Sequence, residues 1–165
     1  MTHCTSQPSN TDRIAPEAEQ GPPVLRIACE VYRQVLFELS YRPVESGGLL
    51  LGPIGSNAIT GFHFDDSALC SGATYTPDHV ALNRLLKERW IPSGIDFKGF
   101  AHSQPSGCAW LSVGDLRYIR RLLLKNDDMD VFAAPIVVAA HYQLCPLVVT
   151  RNRPDVATRA ELVLF

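Results

Sequence analysis

Residues 101–115 read Ala-His-Ser-Gln-Pro-Ser-Gly-Cys-Ala-Trp-Leu-Ser-Val-Gly-Asp. The stretch begins in the apolar-polar alternation of a strand (96–102, DFKGFAH) and passes through a turn-rich loop. It ends in a helix start, with Ser112 as N-cap and Leu116, Ile119, Leu122 and Leu123 recurring at helical spacing to about Lys125. On an extended chain His102 and Gln104 are two apart and share a side, and Pro105 keeps Gln104 out of the helical region. Ser112 and Asp115 open the following helix, where a fold can bring them back to the strand end. Three ligand-type side chains and a hydroxyl then converge on one point. The same Ser-x-x-Asp is nearly a capping box, so a purely structural role for that pair stays open beside the chemical one.

Working outward, the next informative segment is 44–52, VESGGLLLG, a buried strand opened by a carboxylate. Glu45 is a candidate general base, and Gly47-Gly48 would let another group approach the backbone closely. Before it, 25–40 carries Ala28, Val31, Tyr32, Val35 and Leu39 at helical spacing, and Arg42-Pro43 ends that helix. After it, 57–65 reads as a strand with Phe62 and Phe64 on one face. Thr76-Pro77 is expected to start a helix with the stripe Ala81, Leu82, Leu85, Leu86 and Trp90. The last third is strand-like at 131–140, 144–150 and near 160–164. Helices and strands mix without regular alternation, which predicts an α/β fold with a mixed sheet flanked by helices.

At 165 residues, 46% hydrophobic and 19% charged, the chain suits one domain with a substantial core. We expect a flexible tail over 1–23, poor in large apolar groups, and a domain over 24–165. With 15 Lys+Arg against 17 Asp+Glu there is no basic excess to attract nucleic acid or an acidic membrane. Apolar runs reach about ten residues, half of what a spanning helix needs. The start lacks the charged and apolar regions of a secretory signal, so the cytoplasm is the expected compartment. Five widely spaced cysteines (4, 29, 70, 108 and 145) form no C-x-x-C pair and read as free thiols.

Together these segments resemble the JAB/MPN (JAMM) metalloprotease and deubiquitinase-like family, in its compact prokaryotic form. Active members carry a glutamate before a Gly-Leu-Leu-rich strand, then His-x-His, seven residues, Ser, two residues, Asp. This chain has Glu45, then His102-x-Gln104, seven residues, Ser112, two residues, Asp115. The resemblance, over roughly residues 25–150, implies a cytidine-deaminase-like α/β domain and a catalytic Zn2+. By position, His102 and Asp115 match zinc ligands, and Gln104 stands where the family has its second histidine ligand. Glu45 matches the general base, and Ser112 the residue that holds the tetrahedral intermediate. The implied reaction is hydrolysis of an isopeptide or peptide bond in conjugates or precursors of a ubiquitin-like protein, which would be the partner.

The glutamine is a departure. A neutral amide oxygen is a weaker zinc donor than imidazole, so an inactive MPN-like protein-interaction module is the alternative. His63 and His141 lack ligand spacing and read as core or surface histidines. Cys108 in the motif loop reads as a small semi-buried residue, with a thiol nucleophile the weaker possibility. Trp110 reads equally as a substrate-facing aromatic or as packing beneath the loop.

Overall fold

A computed structural model of the chain describes residues 21–42, 44–71, 74–104, 107 and 109–165. Most of the expected tail, together with Cys4, Pro43, Pro105 and Cys108, lies outside the described residues.

The first element is a strand rather than the start of a helix: β1 (Val24–Ile27) precedes α1 (Cys29–Ser40). Leu25 and Ile27 are buried and their neighbours exposed, a period of two over four residues. That alternation is too short to stand out beside the helical stripe that follows. The stripe is as expected, with Val31, Val35, Leu36 and Leu39 buried. No side chain caps α1. Instead Ala28 and Cys29 donate their N–H groups to the carbonyls of Ile59 and Phe165, so neighbouring chain segments define where the helix begins.

Next come β2 (Gly47–Pro53), then β3 (Ala58–Ile59) and β4 (Gly61–Phe64), into which the single strand expected at 57–65 is broken. A short hairpin, β5 (Leu69–Ser71) and β6 (Thr74–Thr76), follows. Thr76 therefore ends a strand instead of capping a helix. The cap is Asp78, whose carboxylate accepts from the N–H groups of Val80 and Ala81 at the start of α2 (His79–Leu85). A π-helical turn (Leu86–Trp90) and a 3-10 turn (Ile91–Ser93) lead into the longest strand, β7 (Ile95–Gln104). Helix α3 (Val113–Lys125) starts at the expected serine cap. The chain closes with β8 (Val131–Ala133), β9 (Ile136–Val138), β10 (Gln143–Cys145), β11 (Leu147–Thr150), β12 (Arg153–Arg159) and β13 (Glu161–Leu164).

Strand β7 is the spine of an eight-stranded mixed sheet. On one side it pairs antiparallel with β2, which carries β4. On the other it pairs parallel with β8 near its middle and with β9 at its end. Strands β11 and β12 extend the sheet beyond β8, and β10 extends it beyond β9. A small parallel sheet, β13-β1-β3, lies beside it. Adjacent residues of β11 serve opposite faces. Val148 packs in the cluster under α1, and Val149 packs with Ile119 and Leu123 of α3. The fold is thus a mixed sheet flanked by helices, as expected. Among the described residues no helix is long and apolar enough to cross a membrane.

Candidate active site

Sheet register assembles the first half of the site. Gly47 of β2 lies directly opposite His102 of β7, which sets the residues just before β2 against the end of β7. Ser46 and Ser103 lock that junction. The Ser103 N–H donates to the Ser46 carbonyl at 2.7 Å, and the Ser46 N–H donates to the Ser103 hydroxyl oxygen at 3.1 Å. Glu45 is thereby held beside His102, with its Oε1 3.6 Å from His102 Nε2. Both residues are buried, at 7% and 5% exposure.

Helix α3 supplies the second half. Ser112 accepts from the Asp115 N–H at 3.1 Å, and Asp115 Oδ2 accepts from the Ser112 N–H at 2.7 Å. The capping box that Ser-x-x-Asp permits is therefore formed. It also fixes the Asp115 carboxylate so that its field reaches the strand ends. Burial, and then the negative charge of Asp115, push the Glu45 carboxyl above the usual carboxylate range. Burial lowers His102, while Asp115 pulls it the other way. A lowered histidine is a neutral imidazole at neutral pH, the form that binds metal.

His102 Nε2 is buried and has no hydrogen-bond partner among the described residues. Such an atom costs free energy unless something occupies its lone pair or takes its proton. Gln104 stands two residues on, and its side-chain nitrogen donates to the Trp110 carbonyl at 3.3 Å. That contact ties the strand end to the motif loop, and among the described residues no donor reaches the amide oxygen. Trp110 itself is 58% exposed, which removes the reading of it as packing beneath the loop. Among the described residues no three His, Cys, Asp or Glu side chains are arranged to hold a metal ion. A cation here would need an amide oxygen in its ligand set. By donor chemistry the imidazole nitrogen of His102 and the second carboxylate oxygen of Asp115 suit such an ion, and the Gln104 amide oxygen would be a weak third donor.

Gly47 allows the close approach to the backbone that its lack of a side chain implies. A Cβ on Gly47 would lie 2.6 Å from the Tyr75 ring and 2.7 Å from the Ala101 carbonyl oxygen. The close approach is made by the protein itself. Tyr75 is held there by Asp65, whose Oδ2 accepts from the Tyr75 hydroxyl at 3.3 Å and from the Asp78 N–H at 2.9 Å. Burial, and then the Asp65 charge, push the Tyr75 hydroxyl far above the usual range, so it stays a donor. Asp65 thus staples the β5–β6 hairpin and the start of α2 beside the site. Neither Asp65 and Tyr75 nor Ser46 and Ser103 carry a spacing signal, because each pair meets only across the sheet or hairpin. His63 packs edge-on against Trp90 with ring centres 5.1 Å apart, a core role as expected.

The serine lock yields a first expected outcome. Ser103→Ala leaves the buried Ser46 N–H without its acceptor, which costs about 1–3 kcal/mol. Urea denaturation measures the loss. A change below about 0.5 kcal/mol would show that the lock does not hold the junction.

No family profile matches the chain, and no curated protein matches it. Solved structures do. A protein from Desulfitobacterium hafniense is 16% identical with a TM-score of 0.61, covering 86% of this chain and 92% of that one. A protein from Salinibacter ruber is 18% identical with a TM-score of 0.56, covering 85% and 91%. A JAB1/MPN domain protein from Archaeoglobus fulgidus is 16% identical with a TM-score of 0.50, covering 85% and 98%. The fold is accordingly MPN-like. At these identities the likeness extends to the fold alone.

Proposed function

We propose that this protein is a zinc-dependent amide hydrolase of the JAMM type, acting in the cytoplasm on conjugates or precursors of a ubiquitin-like protein. The observation that carries the reading is the buried His102 Nε2, without a hydrogen-bond partner among the described residues, 3.6 Å from the Glu45 carboxylate and within the field of Asp115. A hydrophobic core gains nothing from that arrangement, whereas a hydrolytic site needs each part of it. His102, Asp115 and the Gln104 amide oxygen would hold the ion. Zinc bound there would acidify a water and polarise the scissile carbonyl.

The remaining steps belong to the chain's own residues. Glu45, raised above an ordinary carboxylate, takes a proton from the attacking water and returns it to the leaving amine. Ser112 accepts from the Asp115 N–H through its oxygen and keeps its own proton to donate to the developing oxyanion. The capping box and the catalytic role are therefore compatible. His102 is held in place by the register opposite Gly47, and Asp115 by its bond to the Ser112 N–H.

One observation favours the second reading, an inactive MPN-like interaction module. The Gln104 side chain already has a structural task in its bond to the Trp110 carbonyl. Metal content separates the two. Protein purified without chelators is expected to carry about one zinc per chain, the stoichiometry of a single catalytic site. His102→Ala is expected to lose it, and Gln104→His to bind at least about tenfold more tightly. Metal-free protein that takes up no added zinc would favour the module.

A further inference from the structure

A concavity lies away from Glu45 and His102. It is a cleft of about 790 Å³ between β1 and the face of the sheet formed by β8 and β11. Its floor is apolar, from Val131, Ala133 and Val148. Its cations are Arg26, Lys98 and Arg153, and no described lining residue is a carboxylate. None of the three forms an ion pair among the described residues.

Lys98 is the informative member. It sits in β7, the central strand, where a lysine is out of place. Facing β2, Leu50 pairs with Gly99 and Leu51 with Phe97, so Lys98 is the extra residue of a β-bulge. A bulge re-aims a side chain, and Lys98 lines the cleft. The bulge depends on Gly99, whose φ of +149° and whose place against the Ala133 carbonyl exclude any side chain. Lys98 is half-buried, has no carboxylate partner among the described residues, and sits on a backbone kink that only glycine permits. His102 is four residues further along β7, about 13 Å at the strand rise, so this is a separate place on the molecule.

We propose that this cleft binds a small organic anion bearing phosphate or carboxylate groups. Lys98, Arg26 and Arg153 would meet the charges, and the half-buried Val131 the apolar body. The volume falls in the range of small-molecule sites, and a site with three cations and no carboxylate among its described lining residues selects against neutral ligands. The inference does not depend on the hydrolase reading.

The test is titration of the full chain with inorganic phosphate and, separately, with succinate, followed by amide resonances at constant ionic strength against chloride. Saturable shifts at Ala133, Val148 and Thr150 are expected with at least one of the two anions, and which one identifies the head group. Lys98→Met is expected to weaken binding about tenfold or more, and so is Arg153→Gln, an exposed position whose substitution leaves folding intact. His102→Ala is expected to leave it unchanged. The proposal is overturned if neither anion shifts these resonances, or if binding survives both charge-removing variants, or if it disappears with His102→Ala.

Discussion

Replacing Glu45 by glutamine is expected to lower amide hydrolysis by about 10²–10⁴-fold, the usual worth of a positioned general base. Glutamine keeps the shape and the hydrogen-bonding reach but accepts no proton. The fold should not suffer. Glu45 is buried and its charged form is disfavoured, by burial first and by Asp115 second. A neutral isostere therefore leaves the metal-free protein at least as stable at neutral pH. The expected pattern is an unchanged or higher Tm, unchanged zinc content and lost turnover on a peptide amide ending in a ubiquitin-like C-terminus. Turnover retained within about threefold would remove Glu45 from the chemistry, since a base contributes far more. Lost turnover together with lost zinc would make it a ligand instead.

Gly99→Ala is expected to remove about 4 kcal/mol or more of stability, a large share of the roughly 5–15 that a domain has. Two independent penalties meet there. The φ of +149° lies in a region that residues with a Cβ rarely enter. An added Cβ would also sit 1.8 Å from the Ala133 carbonyl oxygen, a backbone atom at the β7–β8 junction that cannot rotate away. Relief requires β7 and β8 to separate, and that opens the contact of Phe132 with Phe97 and Phe100 on the α3 face. Chemical denaturation measures the effect. A variant within about 1 kcal/mol of the parent would mean that β8 can shift freely, and that the bulge is not anchored.

The two positions differ in how they could be read beforehand. Glu45 announced itself as a carboxylate opening an apolar strand. Gly99 looked like any glycine in a strand until the pairing with β2 and β8 gave it a conformation. Strand β12 carries no sequence signal for another reason. Arg153–Arg159 has few apolar residues because it is an edge strand, held by β11 on one side and by ion pairing of Asp155 with Arg120 of α3 at 2.9 Å. The strands β5 and β6 are only three residues each, so neither alternation nor a helical stripe marks them. Thr76-Pro77 was a local signal overruled by a stronger one two residues later, the Asp78 carboxylate.

What the sequence determined by itself is what depends on near neighbours. The stripe of α1, the serine cap and capping partner of α3, and the mixed α/β character follow from residues within a few positions of one another. So does the spacing that places His102, Gln104, Ser112 and Asp115 on one strand-to-helix passage. Only the tertiary structure decided that Glu45 meets His102, because that depends on Gly47 pairing with His102 and not with a neighbour. A slip of one residue would turn every side chain of β2 to the other face. Register of that kind is chosen by the whole core at once, through Leu49, Leu50 and Leu51 finding their clusters on either side of the sheet, and no local pattern encodes it.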